Sequence, residues 1–509
     1  MPRNQVWTVD LEDELATQAL ALQIASLVGA GDLVTLSGDL GAGKSTFARA
    51  LIRTLVGDPQ LDVPSPTFTL MQIYDSPQFP IVHADLYRVE RSAELAELGW
   101  DEASEGALVL VEWAERAGSA LADDRLDITF HMDATRGDDF RRASLSGKGL
   151  FQARLARAMA INALLNASGW QESERRFMLG DASTRAYERL TRPDGICGIL
   201  MISPPRPDGP PVKFGKPYSA IAHLAEDIRP FIAMAEALRA QGYSAPDIFA
   251  SDIKGGLAIL EDFGTQTVID DNGPIPERYA EAIAVLADLH SRALPATIPV
   301  DATETYTIPP YDLDALGIEV ELLVEWYAPH IAQMQVSSGA KMSYATLWRD
   351  RLAGVVAAPT TWSLRDYHSP NLIWLPDRHG LNRVGLIDFQ DCVLGPPAYD
   401  VVSLLHDARV TVPDDLELRL LGHYAKLRRS SDPAFDMAAF IEAYSIMGAQ
   451  RASKILGIFA RLDKRDGKPH YLAHIPRVQH YLRKAMSHVA LADLHAWYET
   501  YLPGLLGRD

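Results

Sequence analysis

The sequence predicts an α/β unit followed by a larger, two-lobed α+β unit, and three observations carry that reading. The chain has 509 residues, more than one domain of ordinary size accommodates. A short β-rich run, Asp32–Gly38, ends in glycine and gives way to helical spacing over Ser45–Leu55, the strand–loop–helix of an α/β fold. Far downstream, Arg175–Ile202 reads as three strands and Leu257–Gly264 as an apolar strand ending in acids, the expected shape of a hinge between two lobes. Composition supports sizeable cores: 47% of residues are hydrophobic and 23% charged, which is not the balance of a disordered chain.

Charge divides the chain further. The formal net charge is -19, and residues 1–142 hold 24 Asp and Glu against 11 Lys and Arg. Such a balance excludes a protein that grips nucleic acid or anionic membrane by broad attraction. No acid occurs between Phe140 and Glu172, where RRASLSGKGLFQARLARAM reads as a junction feeding a helix through Ala160–Leu165. The expected layout is a first unit over 1–145, a junction and leading helix over 146–170, an N-terminal lobe over 171–265 and a C-terminal lobe over 266–509. The Pro-rich Ser203–Val212 segment reads as an irregular surface loop. Two cysteines, Cys197 and Cys392, cannot make a disulfide framework and lack zinc-site spacing, which fits a reducing compartment. The opening MPRNQVWTVDLEDE has no apolar leader region and no stretch is long enough for a membrane span, so a cytoplasmic, membrane-free protein is expected.

In the first unit, Glu12–Val28 reads as an amphipathic helix, and Pro80–Ala84 and Ala107–Val111 as buried strands with polar C-terminal ends. Between strand and helix, Gly38-Asp39-Leu40-Gly41-Ala42-Gly43-Lys44-Ser45 satisfies GxxxxGK[ST], a phosphate-cradling loop of the P-loop NTPase fold. Gly38, Gly41, Ala42 and Gly43 let main-chain N–H groups face phosphate oxygens, and the helix N-terminus at Thr46 adds partial positive charge. Lys44 reaches the β/γ-phosphates of ATP and Ser45 offers a hydroxyl to Mg²⁺. A nucleotide–metal site also needs a carboxylate and a group to position water; Asp85 and Glu112, at the ends of the two later strands, are placed for both tasks.

GDLGAGKST, SPTFTL (Ser65–Leu70), HADLYR and VEWAER, in this order over roughly residues 8–135, resemble the TsaE family, the ATPase subunit of the bacterial tRNA threonylcarbamoyladenosine machinery. The resemblance implies Lys44 and Ser45 at phosphate and metal, Ser65 and Thr67 in a nucleotide-sensing loop, Asp85 near Mg²⁺ and Glu112 assisting hydrolysis, with Trp113 against the nucleotide. It implies action through TsaB-like and TsaD-like partner subunits that hold the tRNA, so that contact with tRNA is indirect. That agrees with the acidity of this unit.

In the second unit the turn Gly180-Asp181-Ala182-Ser183 is a candidate nucleotide-covering loop, and the strand ending at Glu261 a candidate adenine-pairing edge. Asp366 and Asn371 in LRDYHSPNLIWL, followed by Asp388 in VGLIDFQ, match a base at the acceptor hydroxyl and two Mg²⁺ ligands for phosphoryl transfer. Together with GPPAYDVVSLLHDARV and GAQRASKILGIFARL, these motifs resemble the aminoglycoside-phosphotransferase-like kinases, protein-kinase-like in fold, and within them the AmgK-type anomeric sugar kinases, over roughly residues 157–505. The resemblance implies ATP-dependent phosphorylation of N-acetylmuramate and N-acetylglucosamine at the anomeric hydroxyl in cell-wall recycling, with Asp366 as base, Asn371 and Asp388 on Mg²⁺, and Asp400 bracing the catalytic loop. One departure stands out: the strand Ile199-Leu200-Met201-Ile202 lacks the lysine of protein kinases, so either Arg185, Arg189 or another cation takes the phosphate or nucleotide binding is weakened. His368 reads as structural. Other acceptors (an aminoglycoside, choline, an amino-alcohol) and a catalytically silent nucleotide-binding scaffold stay open as alternatives.

Overall fold

The computed structural model describes residues 6–89, 99–117, 121–178, 185–205 and 209–507. It divides into two compact units, Met1–Gln171 and Glu172–Asp509.

In the first unit the strands are Val6–Leu11 (β1), Leu33–Ser37 (β2), Met71–Asp75 (β3), Pro80–Asp85 (β4), Leu108–Glu112 (β5), Arg125–Met132 (β6) and Arg141–Lys148 (β7). They form one sheet in the order β1-β7-β6-β2-β5-β4-β3, in which β6, β2, β5 and β4 run parallel. Runs such as Leu-Val-Leu-Val in β5 are buried throughout because helices and loops cover both faces of a parallel sheet. Asp13 caps the helix Glu14–Ala25 (α1) by accepting from Ala16 N at 2.8 Å, and α1 packs against Lys44–Val56 (α2). β2 is central, and its C-terminal end opens directly into the glycine loop and α2. Gly38 makes that junction possible. Its φ is +133°, and a Cβ there would lie 2.3 Å from Phe130 O on the neighbouring β6.

The basic stretch expected as a junction behaves otherwise. Arg141–Lys148 is a strand of the sheet, paired antiparallel with both β1 and β6. Its Arg-Arg-Ala-Ser-Leu-Ser-Gly-Lys alternates, with Ala143, Leu145 and Gly147 buried and the polar residues between them half-buried, a period of two hidden by small and charged residues. The helix Phe151–Ser168 then packs back on β7 through Phe151 and Leu155, which join the core of the first unit.

The second unit starts with strands Glu174–Met178 (β8), Ala186–Thr191 (β9) and Cys197–Ile202 (β10). With Leu257–Glu261 and Ile248–Asp252 they make a fully antiparallel five-stranded sheet in which Leu257–Glu261 lies between β10 and Ile248–Asp252. The Gly180–Ser183 turn lies outside the described residues. Within the Pro-rich segment, Pro211–Lys213 pairs with Lys216–Pro217 in a short hairpin, so that end is not irregular. After the sheet the chain is mainly helical, with Met437–Asp466 the long central helix. Two small hairpins, Thr361–Ser363 with Val393–Gly395 and Leu372–Trp374 with Val384–Leu386, carry the loops that hold Asp366, Asn371 and Asp388. Single bridges Ser244 to Gly385 and Thr267 to Ile373 tie these hairpins to the segments flanking the hinge strand. One hydrophobic core runs through both lobes, from Met201, Phe231 and Leu260 to Trp348 and Tyr498. Among the described residues no helix is long and apolar enough to cross a membrane.

The central helix approaches its neighbour closely at one point: a Cβ on Gly457 would stand 2.4 Å from the carbonyl carbon of Leu322. Gly457→Ala is therefore expected to destabilise the second unit by about 1–3 kcal/mol through overpacking. Gly422→Ala, on a helix with nothing within 4 Å of the added carbon, should instead gain about 0.5–1 kcal/mol. Denaturant titration of the two variants checks the pair; equal effects would remove the close approach as the cause.

Candidate functional sites

The first site forms at the C-terminal edge of β2, β5 and β4, where open α/β sheets bind ligands. Register puts Glu112 beside both Leu36 and Asp85, so three consecutive sheet strands deliver their terminal residues to one place. A cavity of about 440 Å³ opens there, lined by Gly41, Gly43, Lys44, Ser45, Thr46 and Thr67 together with the acids Asp85 and Glu112. Lys44 is 5% exposed; its Nζ donates to Gly38 O at 2.7 Å and Asp39 O at 2.9 Å and lies 3.8 Å from the centre of the Trp113 ring. Burial lowers its pKa, against the pull of Glu112, Glu115, Asp85 and Asp39. An ammonium held by its own loop, facing a cavity at a helix N-terminus, suits an anionic phosphate. Ser45 Oγ donates to Glu112 Oε2 at 2.7 Å, and Ser65 Oγ to Asp85 Oδ2 at 2.8 Å. These hard oxygens are the donor type that Mg²⁺ takes. Ala42 is buried beneath the loop, and its N–H is spent on Asp39 O at 3.1 Å.

The second site lies in a cavity of about 680 Å³ in the larger unit. One wall comes from the sheet and hinge (Ile199, Leu260, Glu261, Phe263), one from the central helix, and Asp366, Asn371 and Asp388 stand in it together. Asn371 Nδ2 donates to Asp366 O at 2.9 Å and lies 3.4 Å from Asp388 Oδ2. Asp388, held at φ +59°, accepts from Arg185 Nη1 and Gln390 Nε2, both at 2.9 Å. A loop this charged has to be held from behind. Asp400, fully buried, accepts from Leu364 N at 2.6 Å, Arg365 N at 2.9 Å and Ser363 Oγ at 3.2 Å. Asp407 does the same for Ser369, through N at 2.9 Å and Oγ at 2.6 Å. Arg365 itself points away from the cavity into a buried pair with Glu319, which also accepts Lys454 at 2.9 Å. Enclosure by the walls pushes the Asp366 carboxyl up, but His368, Lys454, Arg451 and Arg365 outweigh that and keep it below its ordinary range, in the base form. Burial lowers the pKa of His368, whose Nε2 lies 3.9 Å from Asp366 Oδ1 and 3.4 Å from Arg409 Nη1.

Residues 11–142 match the model of the threonylcarbamoyl adenosine biosynthesis protein TsaE, and residues 174–439 that of the phosphotransferase enzyme family. An N-acetylmuramate/N-acetylglucosamine kinase of Caulobacter vibrioides is 40% identical over 362 residues, which cover 68% of this chain and 97% of that protein. Another, from Pseudomonas putida, is 30% identical over 332 residues, covering 64% of this chain and 88% of that protein. The tRNA threonylcarbamoyladenosine biosynthesis protein TsaE of Rickettsia typhi is 44% identical over 122 residues, 24% of this chain and 84% of that protein. The chain belongs to both families.

In the TsaE part, the residues named from the motifs line one cavity apart from Gly38 and Ala42, and the geometry adds three. His83 Nε2 meets Glu112 Oε1 at 3.0 Å in full burial, while Tyr87 and Arg88 line the opening. His83 lies two residues before Asp85 in the quoted HADLYR motif, and only the parallel register reveals its contact. In the phosphotransferase part, Arg185 is the cation on Asp388, whereas Arg189 is held by Asp262 at 2.7 Å and Met201 is buried in the core. Glu261 lines the cavity but its carboxylate is engaged by Arg378. Asp391, Arg409, Arg451 and Lys454 also line it; the GAQRASK run carried two of them without indicating where they point. Asp400→Ala would strand two main-chain donors and a hydroxyl in the interior. It is expected to cost about 2–6 kcal/mol, the sum of two or more unsatisfied donors, measured by denaturant unfolding against wild type.

Proposed function

We propose that the chain is bifunctional: a TsaE-type ATPase serving threonylcarbamoylation of the tRNA adenosine next to the anticodon, joined to an ATP-dependent kinase for the anomeric hydroxyl of N-acetylmuramate and N-acetylglucosamine. The observation that carries the kinase reading is the convergence of Asp366, Asn371 and Asp388 in one cavity, in a chain that spans nearly the whole of an amino-sugar kinase relative. The acceptor hydroxyl would give its proton to Asp366 as its oxygen bonds the γ-phosphorus; the bond from that phosphorus to the bridging oxygen breaks, and ADP leaves. Mg²⁺ would be held by Asn371 and Asp388 here, and by Ser45 and Asp85 in the TsaE part, where it neutralises charge on the phosphates. Arg185, at the same carboxylate, is the cation nearest the expected phosphate path.

For the TsaE part the support is the buried Lys44 above an acidic cluster. Glu112, fixed between Ser45 and His83, would orient water toward the terminal phosphate, and Thr67 with Ser65 would read the state of the nucleotide. TsaB-like and TsaD-like subunits are the partners of this reading; they would hold the tRNA, which the acidic unit does not attract.

Asp366→Asn should lower sugar phosphorylation by about 10²–10⁴-fold, the range for loss of a general base, with ADP release measured on N-acetylmuramate and N-acetylglucosamine. Turnover unaffected by the substitution would remove Asp366 as base, and no turnover in wild type would remove the amino-sugar assignment. In an Asp366→Asn background, so that only the first site turns over, Glu112→Ala should abolish ATP hydrolysis and, with the partner subunits, tRNA modification. Full modification without hydrolysis would leave ATP as a switch that orders the Ser65–Thr67 loop.

A further inference from the structure

One face of the central helix Met437–Asp466 forms a wall of the kinase cavity, with Arg451, Ile455, Ile458 and Leu462 at helical spacing and Phe459 beside them. Arg451 is a singular charge on that wall. It is 5% exposed, and its Nε is buried with no hydrogen-bond partner among the described residues. Tyr399 supports it with its hydroxyl and with its ring, 5.8 Å from the guanidinium carbon, and Asp366 and Asp407 act on it through space. Its neighbours are treated differently. Lys454, one turn on, shares the carboxylate of Glu319 with Arg365. A buried guanidinium without a paired carboxylate is costly unless something else supplies the negative charge. Because Arg451 lines the cavity, that something can be a ligand.

The donor's phosphates have a cation of their own on the sheet side, where Arg185 stands at Asp388. Arg451 belongs to the helical side, next to the base Asp366 and to an apolar patch in which Phe459 stacks on Tyr471 with ring centres 5.4 Å apart. An acceptor lying there meets a planar cation beside an apolar surface, which matches a sugar that carries a carboxylate on a short aliphatic arm. We propose that Arg451 binds the carboxylate of the acceptor and makes the kinase selective for an acidic amino sugar over its neutral counterpart. This rests on the amino-sugar reading above. N-acetylmuramate and N-acetylglucosamine differ by one lactyl ether, so the pair isolates the effect.

The test uses the full chain and compares kcat/KM for the two sugars in wild type and Arg451→Gln. The acid-over-neutral ratio should fall about 10- to 100-fold in the variant, the worth of one charge-assisted contact. In wild type, the methyl ester of N-acetylmuramate, with its charge removed, should lose a similar factor against the acid; this arm needs no variant and decides the matter even where Arg451→Gln fails to fold. Equal losses for both sugars would assign Arg451 to the transferring phosphate or to the fold, and overturn the proposal. So would an ester that reacts as well as the acid, or discrimination against the ester that persists in Arg451→Gln. Wild type that phosphorylates neither sugar would instead bring down the amino-sugar reading itself.

Discussion

A carboxylate placed out of water needs donors, and behind both sites of this chain the acids are held by donors of the segments they position. Asp400 takes two main-chain N–H groups and a hydroxyl from Ser363–Arg365, and Asp407 takes two donors from Ser369. The loop carrying Asp366 and Asn371 is thereby clamped at both ends by side chains from the segment Ala398–Arg409, one short helix and the turn after it. The same device recurs in the TsaE part on a smaller scale: Ser65 and Tyr87 N donate to Asp85, while Ser45 and His83 hold Glu112. Each clamp joins a residue of one strand end or loop to a donor elsewhere in sequence, so the geometry of the cavity and the stability of its walls are one property.

The consequence is asymmetric placement of charge. Asp85, Glu112 and Asp388 each meet donors within their own site, whereas the cations near the same space differ in what holds them. Lys454, on the cavity wall, pairs with Glu319, which also holds Arg365 behind the wall, and it serves the scaffold. Lys44 rests on main-chain carbonyls of its own loop, and Arg451 faces an aromatic ring. A carbonyl or a ring holds a cation weakly enough for a phosphate or carboxylate to take it over, which a buried carboxylate partner would prevent.

Much of this was legible from residues close together in sequence. Gly38–Ser45 and the Asp366, Asn371, Asp388 series lie on short segments whose local conformation fixes their relations, and Gly41, Gly43, Lys44 and Ser45 share one cavity, as do the three residues of the second set. What escaped detection was set by pairing between distant segments. β7 carries so many basic and small residues that its alternation looks like a linker until Ala143, Leu145 and Gly147 are seen facing the core. β1 has meaning only as the partner of β7. Glu319 meets Arg365 and Lys454 across the helical lobe, a contact with no local signature. His83 needed the register of β4 on β5 before its contact with Glu112 could be seen.

The missing kinase lysine has the same explanation, read in the opposite direction. Ile199 and Met201 alternate on one face of β10, and Tyr187 of β9 pairs directly with Met201 and so projects to that face too. Ile199 and Tyr187 line the cavity, while Met201 is covered by the core. A lysine at Met201 would have to thread a long cation out of an apolar cluster. Arg185 lies two residues before Tyr187, hence on the same side of the chain as β9 begins, and its guanidinium reaches Asp388 at 2.9 Å. The inner position of β10 is thus left to a methionine that packs, and the cation at Asp388 comes from the start of the neighbouring strand.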